Sequence, residues 1–268
     1  MVLVITTLIG ATVAVFLRPA MDAYTDTRVR AELSDQADTA LRRMVRDIRQ
    51  AVPNSIRVHE DKCFELVPAV AGGRYRMGPD ASGTAAHVDP SQPTVNFDVL
   101  TTMSRTPAVG DFVVINNQNG NDVYVGANRA AITAVSTPAA TSGTVRIGIA
   151  GGLQVSPGYV GGRFQVVSSA QRAVFYVCSG ADGTLDAQGQ GKGILFRVVR
   201  DFDANYPASC PSTTGAAVLA TRVRTCSFIY DPNKGATQQS GFLWMLLGVA
   251  RNGETSTQAQ GAHVTNAP

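Results

Sequence analysis

The first seventeen positions, Met1 to Leu17 (MVLVITTLIGATVAVFL), carry no charge and are mostly Val, Leu, Ile, Ala and Phe. A helix of that length reaches about 25 Å, the lower limit for spanning a hydrocarbon core of ~30 Å. From Asp22 to Val52 the pattern changes to one apolar stripe: Leu33, Ala37, Leu41, Met44, Ile48 and Val52 recur every three or four residues. Arg30, Asp35, Asp38, Arg42, Arg46 and Arg49 fall largely outside it, and that periodicity predicts an amphipathic helix. Pro53 ends it, since proline restricts the preceding residue and donates no hydrogen bond. The two patterns together predict one nearly continuous helix, which Pro19 kinks.

Beyond Pro53 the helical period disappears. Short runs rich in Val, Ile, Phe and Tyr, separated by turn-formers, predict strands. They are Ser55–Val58, Phe64–Val67, Phe112–Ile115, Val123–Val125, Ala131–Val135, Val145–Ile149, Phe164–Val167 and Ala173–Val177. Further runs follow at Ile194–Val199, Val218–Val223, Ser227–Tyr230, Phe242–Val249 and Ala262–Val264. Residues 117–121, Asn-Gln-Asn-Gly-Asn, read as a hairpin loop between FVVI and VYV. Strand follows strand without intervening helices, so antiparallel pairing is expected. The stretches Gly72–Pro93, Ser136–Gly143 and Ala181–Gly193 read as surface loops. The resulting expectation is an α+β fold: a long N-terminal helix packed on an antiparallel β-sheet, with an additional β-rich lobe at about residues 90–170. Its divisions are an apolar membrane or filament-core segment (1–18), the amphipathic continuation (19–52) and a β-rich head (53–268).

Composition narrows the class. The chain is 44% hydrophobic and 16% charged over 268 residues, with a formal net charge of +3. That suffices for a core and is unlike a disordered chain. Basic residues between Arg28 and Arg57 are interleaved with acids, so no nucleic-acid partner is expected. Nothing basic precedes the apolar run and Arg18-Pro19 follows it, which is not the signature of a cleaved signal peptide. Cys63, Cys178, Cys210 and Cys226 are dispersed, without C-x-x-C spacing, and predict two disulfides in an oxidising compartment. Three connectivities are possible. Proximity in sequence favours Cys210–Cys226, leaving Cys63–Cys178.

No enzyme chemistry is legible. His59, His87 and His263 have no H-x-x-x-H spacing, and no G-x-S-x-G occurs. Gly189-Gln190-Gly191-Lys192-Gly193 lacks the spacing and the hydroxyl residue of a phosphate loop and reads as a turn. Asp201 and Asp203 are too few for a calcium site. No cofactor and no metal are expected, and Trp244, within FLWMLLGV, is expected in the core.

The stretches VLVITTLIGATVAVFLRPAMDAY and RAELSDQADTALRRMVRDIRQAVPNSIRV resemble the N-terminal helix of type IV pilin-like proteins, specifically minor pilins of MSHA-like (mannose-sensitive haemagglutinin) pilus systems. The blocks VGDFVVINN, NRAAIT, AVFYVCSG, GILFRVVRDF, LATRVRTCSFIYDP and HVTNAP fit the same group. The resemblance implies a structural subunit that takes part in filament initiation and assembly. Its expected partners are other minor and major pilins, the inner membrane and the pilus assembly machinery. It also implies an inner-membrane location with a periplasmic head, and later the pilus at the cell surface. Met1, Val2, Leu3, Val4, Ile5, Leu8, Ile9, Val13, Val15, Phe16 and Leu17 would enter the membrane and then the filament core. Leu33, Ala37, Leu41, Met44, Ile48 and Val52 would hold helix to sheet. Type II secretion minor pseudopilins (J-like) and membrane-anchored adhesins active in cell adhesion are the alternatives. The family's basic leader and Gly-Phe-Thr-Leu-x-Glu motif, where prepilin peptidase cuts and methylation follows, do not occur here. Met1 falls just downstream of the glutamate position, so the true start is expected upstream, and the peptidase is a partner only if that leader exists.

Overall fold

The computed structural model describes residues 2–155, 161–232 and 240–266. Helix α1 runs Val2–Arg49 and a one-turn helix α2 spans Asp122–Val125. The strands are β1 (Arg57–His59), β2 (Cys63–Leu66), β3 (Ala69–Arg74), β4 (Thr94–Val99), β5 (Phe112–Val114), β6 (Arg129–Ser136) and β7 (Val145–Leu153). They continue with β8 (Arg163–Val167), β9 (Ala173–Ser179), β10 (Gly193–Arg200), β11 (Ala217–Asp231), β12 (Ser240–Arg251) and β13 (Glu254–Thr265).

The α+β expectation, a long pilin-type helix packed on an antiparallel sheet, is corrected. The molecule is mainly β, with far more strand than helix, and one of its antiparallel sheets is curled. Seven strands form a sheet in the order β1-β2-β9-β10-β11-β12-β13, and six form a second in the order β3-β8-β5-β6-β7-β4. Helix α1 meets the first sheet over its second half only: its apolar contribution to that sheet's core comes from the turns between Val29 and Ile48. The β class prevails because the β-branched and aromatic runs after Pro53 bury their apolar faces only by pairing with one another.

The six-stranded sheet curls until its outer strands touch. Tyr75 bridges to Val99, Leu100 N donates to Arg74 O, and Arg76 N donates to Asp98 O. This closure leaves few free edges and encloses a core that includes Phe97, Phe164, Ile147 and Val166. Phe97 meets Phe164 edge to face at 5.3 Å. The chain enters this lobe from β2 and leaves it into β9, which are neighbours in the seven-stranded sheet. The lobe is therefore inserted between two paired strands, and it starts at Ala69, earlier than the 90–170 expected.

Several local readings change. Val123–Val125, expected as a strand, lies in α2, and Gly126 closes that turn with φ 91°. The hairpin expected around 117–121 therefore does not form; β5 pairs with β6 and β8 instead. Strands β3 and β4 fall where loop was expected or nothing was assigned, and Val218–Val223 and Ser227–Tyr230 belong to one strand, β11. Trp244 is not core: its side chain is 41% exposed, opposite the buried Leu243 and Met245.

The disulfides are Cys63–Cys210 and Cys178–Cys226, with Cα–Cα distances of 5.8 and 6.3 Å. This corrects the expected pairing. Cys63 lies opposite Val177 in the β2–β9 register, so Cys178, one residue on, projects from the other face of the sheet. Cys178 and Cys226 sit in the core beneath α1, whereas Cys63 and Cys210 pack with Phe175 and Val177 on the far side. Each disulfide thus stays on one face of the sheet.

Candidate functional site

The stripe residues Leu33, Ala37, Leu41, Met44 and Ile48 are at most 3% exposed and share one core with Phe64, Tyr176, Phe228, Leu243, Met245 and Leu247. Val52 is also buried, but in the cluster between the two sheets, with Val67, Tyr124 and Val167. Ala40 and Val45 broaden the buried face; the sequence reading omitted both.

A charged residue also belongs to that face. Asp47, 5% exposed, accepts hydrogen bonds from Tyr176 Oη at 2.7 Å and Arg197 Nε at 3.0 Å. Burial pushes the Tyr176 hydroxyl well above its ordinary range, helped by the neighbouring Asp47 carboxylate, so it stays a donor. Helix and sheet are thereby keyed by a directional contact as well as by apolar packing.

The second buried network lies where the two sheets meet. Arg57 and Glu65 are both fully buried, paired through Arg57 Nη2–Glu65 Oε2 at 2.7 Å and Nε–Oε2 at 3.0 Å. Arg57 also donates to Asn121 Oδ1 and to the carbonyls of Asp203 and Asn205, and its guanidinium lies 3.3 Å from the Tyr124 ring centroid. Arg200 reaches the other oxygen of Glu65 at 3.3 Å. Burial raises the Glu65 carboxyl against the pull of both arginines. The Arg57–Glu65 pair at its centre is closed to solvent, and its partners around the rim fasten β1, β2, α2 and the segment after β10 together.

At the surface, a groove of 610 Å³ runs between α1 and β13, lined by Asp38, Arg42, Val45, Arg46, Arg49, Gln50 and Gln260. A second of 360 Å³ shares Arg49 and Gln50 and reaches Arg163 and Gln165. Arg42 is paired with Asp38 at 2.6 Å.

The other end of α1 is different. Val13, Val15, Met21 and Tyr24 are 48%, 68%, 67% and 71% exposed, and none belongs to a core cluster. The first anchors to the sheet are Val29, the Arg30–Glu254 pair at 2.6 Å and the Glu32–Arg251 pair at 3.1 Å. Met1 lies outside the described residues, as do the side chains of Val2, Leu3, Val4, Ile5, Leu8, Ile9, Phe16 and Leu17. Among the described residues, no helix is long and apolar enough to cross a membrane.

The remaining motifs resolve locally. Gly191 packs against the Arg222 backbone so closely that a Cβ would collide with its carbonyl, and Gly189 has φ +70°; the glycine run is a packed turn. Asp201 pairs with Arg172 at 2.8 Å and Asp203 with Arg200 at 3.3 Å. Among the described residues, no group of three or more His, Cys, Asp and Glu side chains could hold a metal ion. No family model, curated protein or solved structure matches the chain.

Proposed function

We propose that this protein is a structural subunit of a filament built by helix packing, with α1 as its assembly element. The observation that carries the reading is the set of exposed apolar side chains on α1, Val13, Val15, Met21 and Tyr24, none of which belongs to either sheet's core. An apolar helix surface left in water is costly unless something covers it. A subunit that shares a common axis with its neighbours covers it by assembly. The central pairs of the buried polar networks, Asp47–Tyr176 and Arg57–Glu65, are shut away from solvent, which favours a packing role over catalysis.

The particular protein it most resembles is the minor pilin MshO of the MSHA system, on the sequence blocks quoted above. In that reading Met1–Leu17 rests in the inner membrane before assembly and joins the filament core afterwards, and the head faces the periplasm and then the exterior. Other pilins and the assembly machinery are its partners.

The test replaces Val15 and Tyr24 together by Asp in cells that assemble filaments. The wild-type chain is expected to co-sediment with sheared filaments and the double variant to be lost from them, with the circular dichroism of the head unchanged. A wild-type chain absent from the sheared fraction would overturn the reading. So would a double variant incorporated as efficiently as wild type. A secretion defect without loss of filaments would instead support the secretion pseudopilin.

A further inference from the structure

A pocket of 180 Å³ in the inserted lobe has no part in that proposal. Its walls come from the end of β5 (Ile115, Asn116), the turn into α2 (Asn119, Asp122), Asn128 before β6, and Gln154 after β7. Asn116 and Asn128 are each only 8% exposed, and the Oδ1 atom of each is buried without a hydrogen-bond partner. Buried amide oxygens are rarely left unpaired, since each lost hydrogen bond carries a desolvation cost. Asp122 takes both bonds from Asn119, from its backbone N and its Nδ2 (each 3.0 Å), on Oδ2 alone. Among the described residues, no hydrogen bond reaches its Oδ1. No Lys or Arg among the described residues lines the pocket.

We infer that this pocket binds a hard divalent cation, of which Ca²⁺ is the best fit. Calcium takes six to eight oxygen ligands, and it accepts amide carbonyls and water as readily as carboxylates. Two unpartnered amide oxygens, one open carboxylate oxygen and room for bound water meet that requirement. Mg²⁺, which demands a tighter octahedron and gives up its water reluctantly, does not fit as well. Among the described lining residues there is no His or Cys to serve zinc. With a single carboxylate the affinity belongs in the range of extracellular calcium modules, about 10⁻⁴–10⁻³ M. The amide of Asn128 is already aimed: its Nδ2 donates to Asn117 Oδ1 at 2.8 Å, while Asn117 Nδ2 donates to the Pro53 carbonyl at 2.6 Å. Occupancy would therefore stiffen the junction just after α1. This inference rests on the pocket alone and is independent of the filament reading.

Equilibrium dialysis of the full chain against ⁴⁵Ca²⁺ tests it, with melting curves in CaCl₂, MgCl₂ and EDTA. One Ca²⁺ per chain is expected, with a higher melting temperature in CaCl₂ than in MgCl₂ or EDTA. Asn128→Ala should weaken binding about tenfold or more, and Asn116→Asp, which adds a carboxylate at the same place, should tighten it. The second variant keeps the test decisive where the first fails to fold. No saturable Ca²⁺ binding at several millimolar overturns the inference. So does binding indifferent to both substitutions, or a pocket protected by a neutral monosaccharide and not by Ca²⁺.

Discussion

Asp80 accepts hydrogen bonds from Ser82 Oγ at 2.9 Å, Thr84 N at 3.0 Å, Ala85 N at 3.2 Å and Ser142 Oγ at 3.2 Å. Partial desolvation works to raise its carboxyl, but these donors outweigh it and hold the pKa at about 2. A depressed carboxylate contributes stability that is present above its unfolded pKa of about 3.9 and is lost as pH falls through the folded value. The Asp80 side chain should therefore titrate by NMR with a midpoint near 2, and Ser82→Ala should move that midpoint upward. A midpoint near 4 in the native protein would refute the assigned geometry. Nothing in the sequence marks Asp80, because three of its donors stand two to five residues away in an ordinary polar loop and the fourth is Ser142, far along the chain. Arg57 and Glu65 were equally invisible as a pair. They sit eight residues apart in a charged stretch, and only their facing positions in the β1–β2 register bury them together. Asn116 and Asn128 read as polar loop residues, since no sequence pattern announces an amide oxygen that folding leaves unpartnered.

Among the elements, α1 was the most legible. Its apolar spacing identified Leu33, Ala37, Leu41, Met44 and Ile48, all of which are buried. Leu41→Asp places a charge at a site that is 2% exposed, in the apolar core shared with Phe64 and Leu243. It should lower the head's unfolding free energy by about 3 kcal/mol or more, read as a lower urea midpoint; an unchanged midpoint would refute the packing. The strands were legible in rank order of their β-branched content. Ile-, Val- and Phe-rich runs such as Phe164–Val167 and Ala173–Val177 signalled themselves. Ala69–Arg74, with two glycines, and Thr94–Val99, with Asn and Asp, did not. Val123-Tyr124-Val125 has strong strand propensity yet turns helically, because Asn117 Oδ1 captures the Val123 amide at 2.9 Å and Tyr124 Oη reaches the Ser55 carbonyl at 2.7 Å. Tertiary hydrogen bonds outweighed intrinsic preference there. One readable signal went unused: Asn252-Gly253, with φ of 53° and 82°, turns β12 into β13, and Asn-Gly is the dipeptide such a hairpin favours.

Over the whole molecule the two disulfides brace opposite faces of the seven-stranded sheet. Peptide mapping under non-reducing conditions should yield one fragment linking Cys63 to Cys210 and another linking Cys178 to Cys226; a Cys210–Cys226 fragment would contradict the sheet register. Reduction should cost a few kcal/mol of stability, about 2–5 for each bond lost. The number of cysteines and their dispersal announced that bridges exist, while the choice of partners follows from which side of a strand each one occupies. The same division runs through the fold. Local order is written in periodicity: an amphipathic helix ending before Pro53, a β-rich remainder and antiparallel pairing all follow from neighbours along the chain. The β-dominated class, the curled lobe inserted between β2 and β9, the buried arginine and the amide pocket depend on contacts between residues tens to more than a hundred positions apart. A one-dimensional pattern records spacing, and burial of a polar group is a property of what the rest of the chain brings against it.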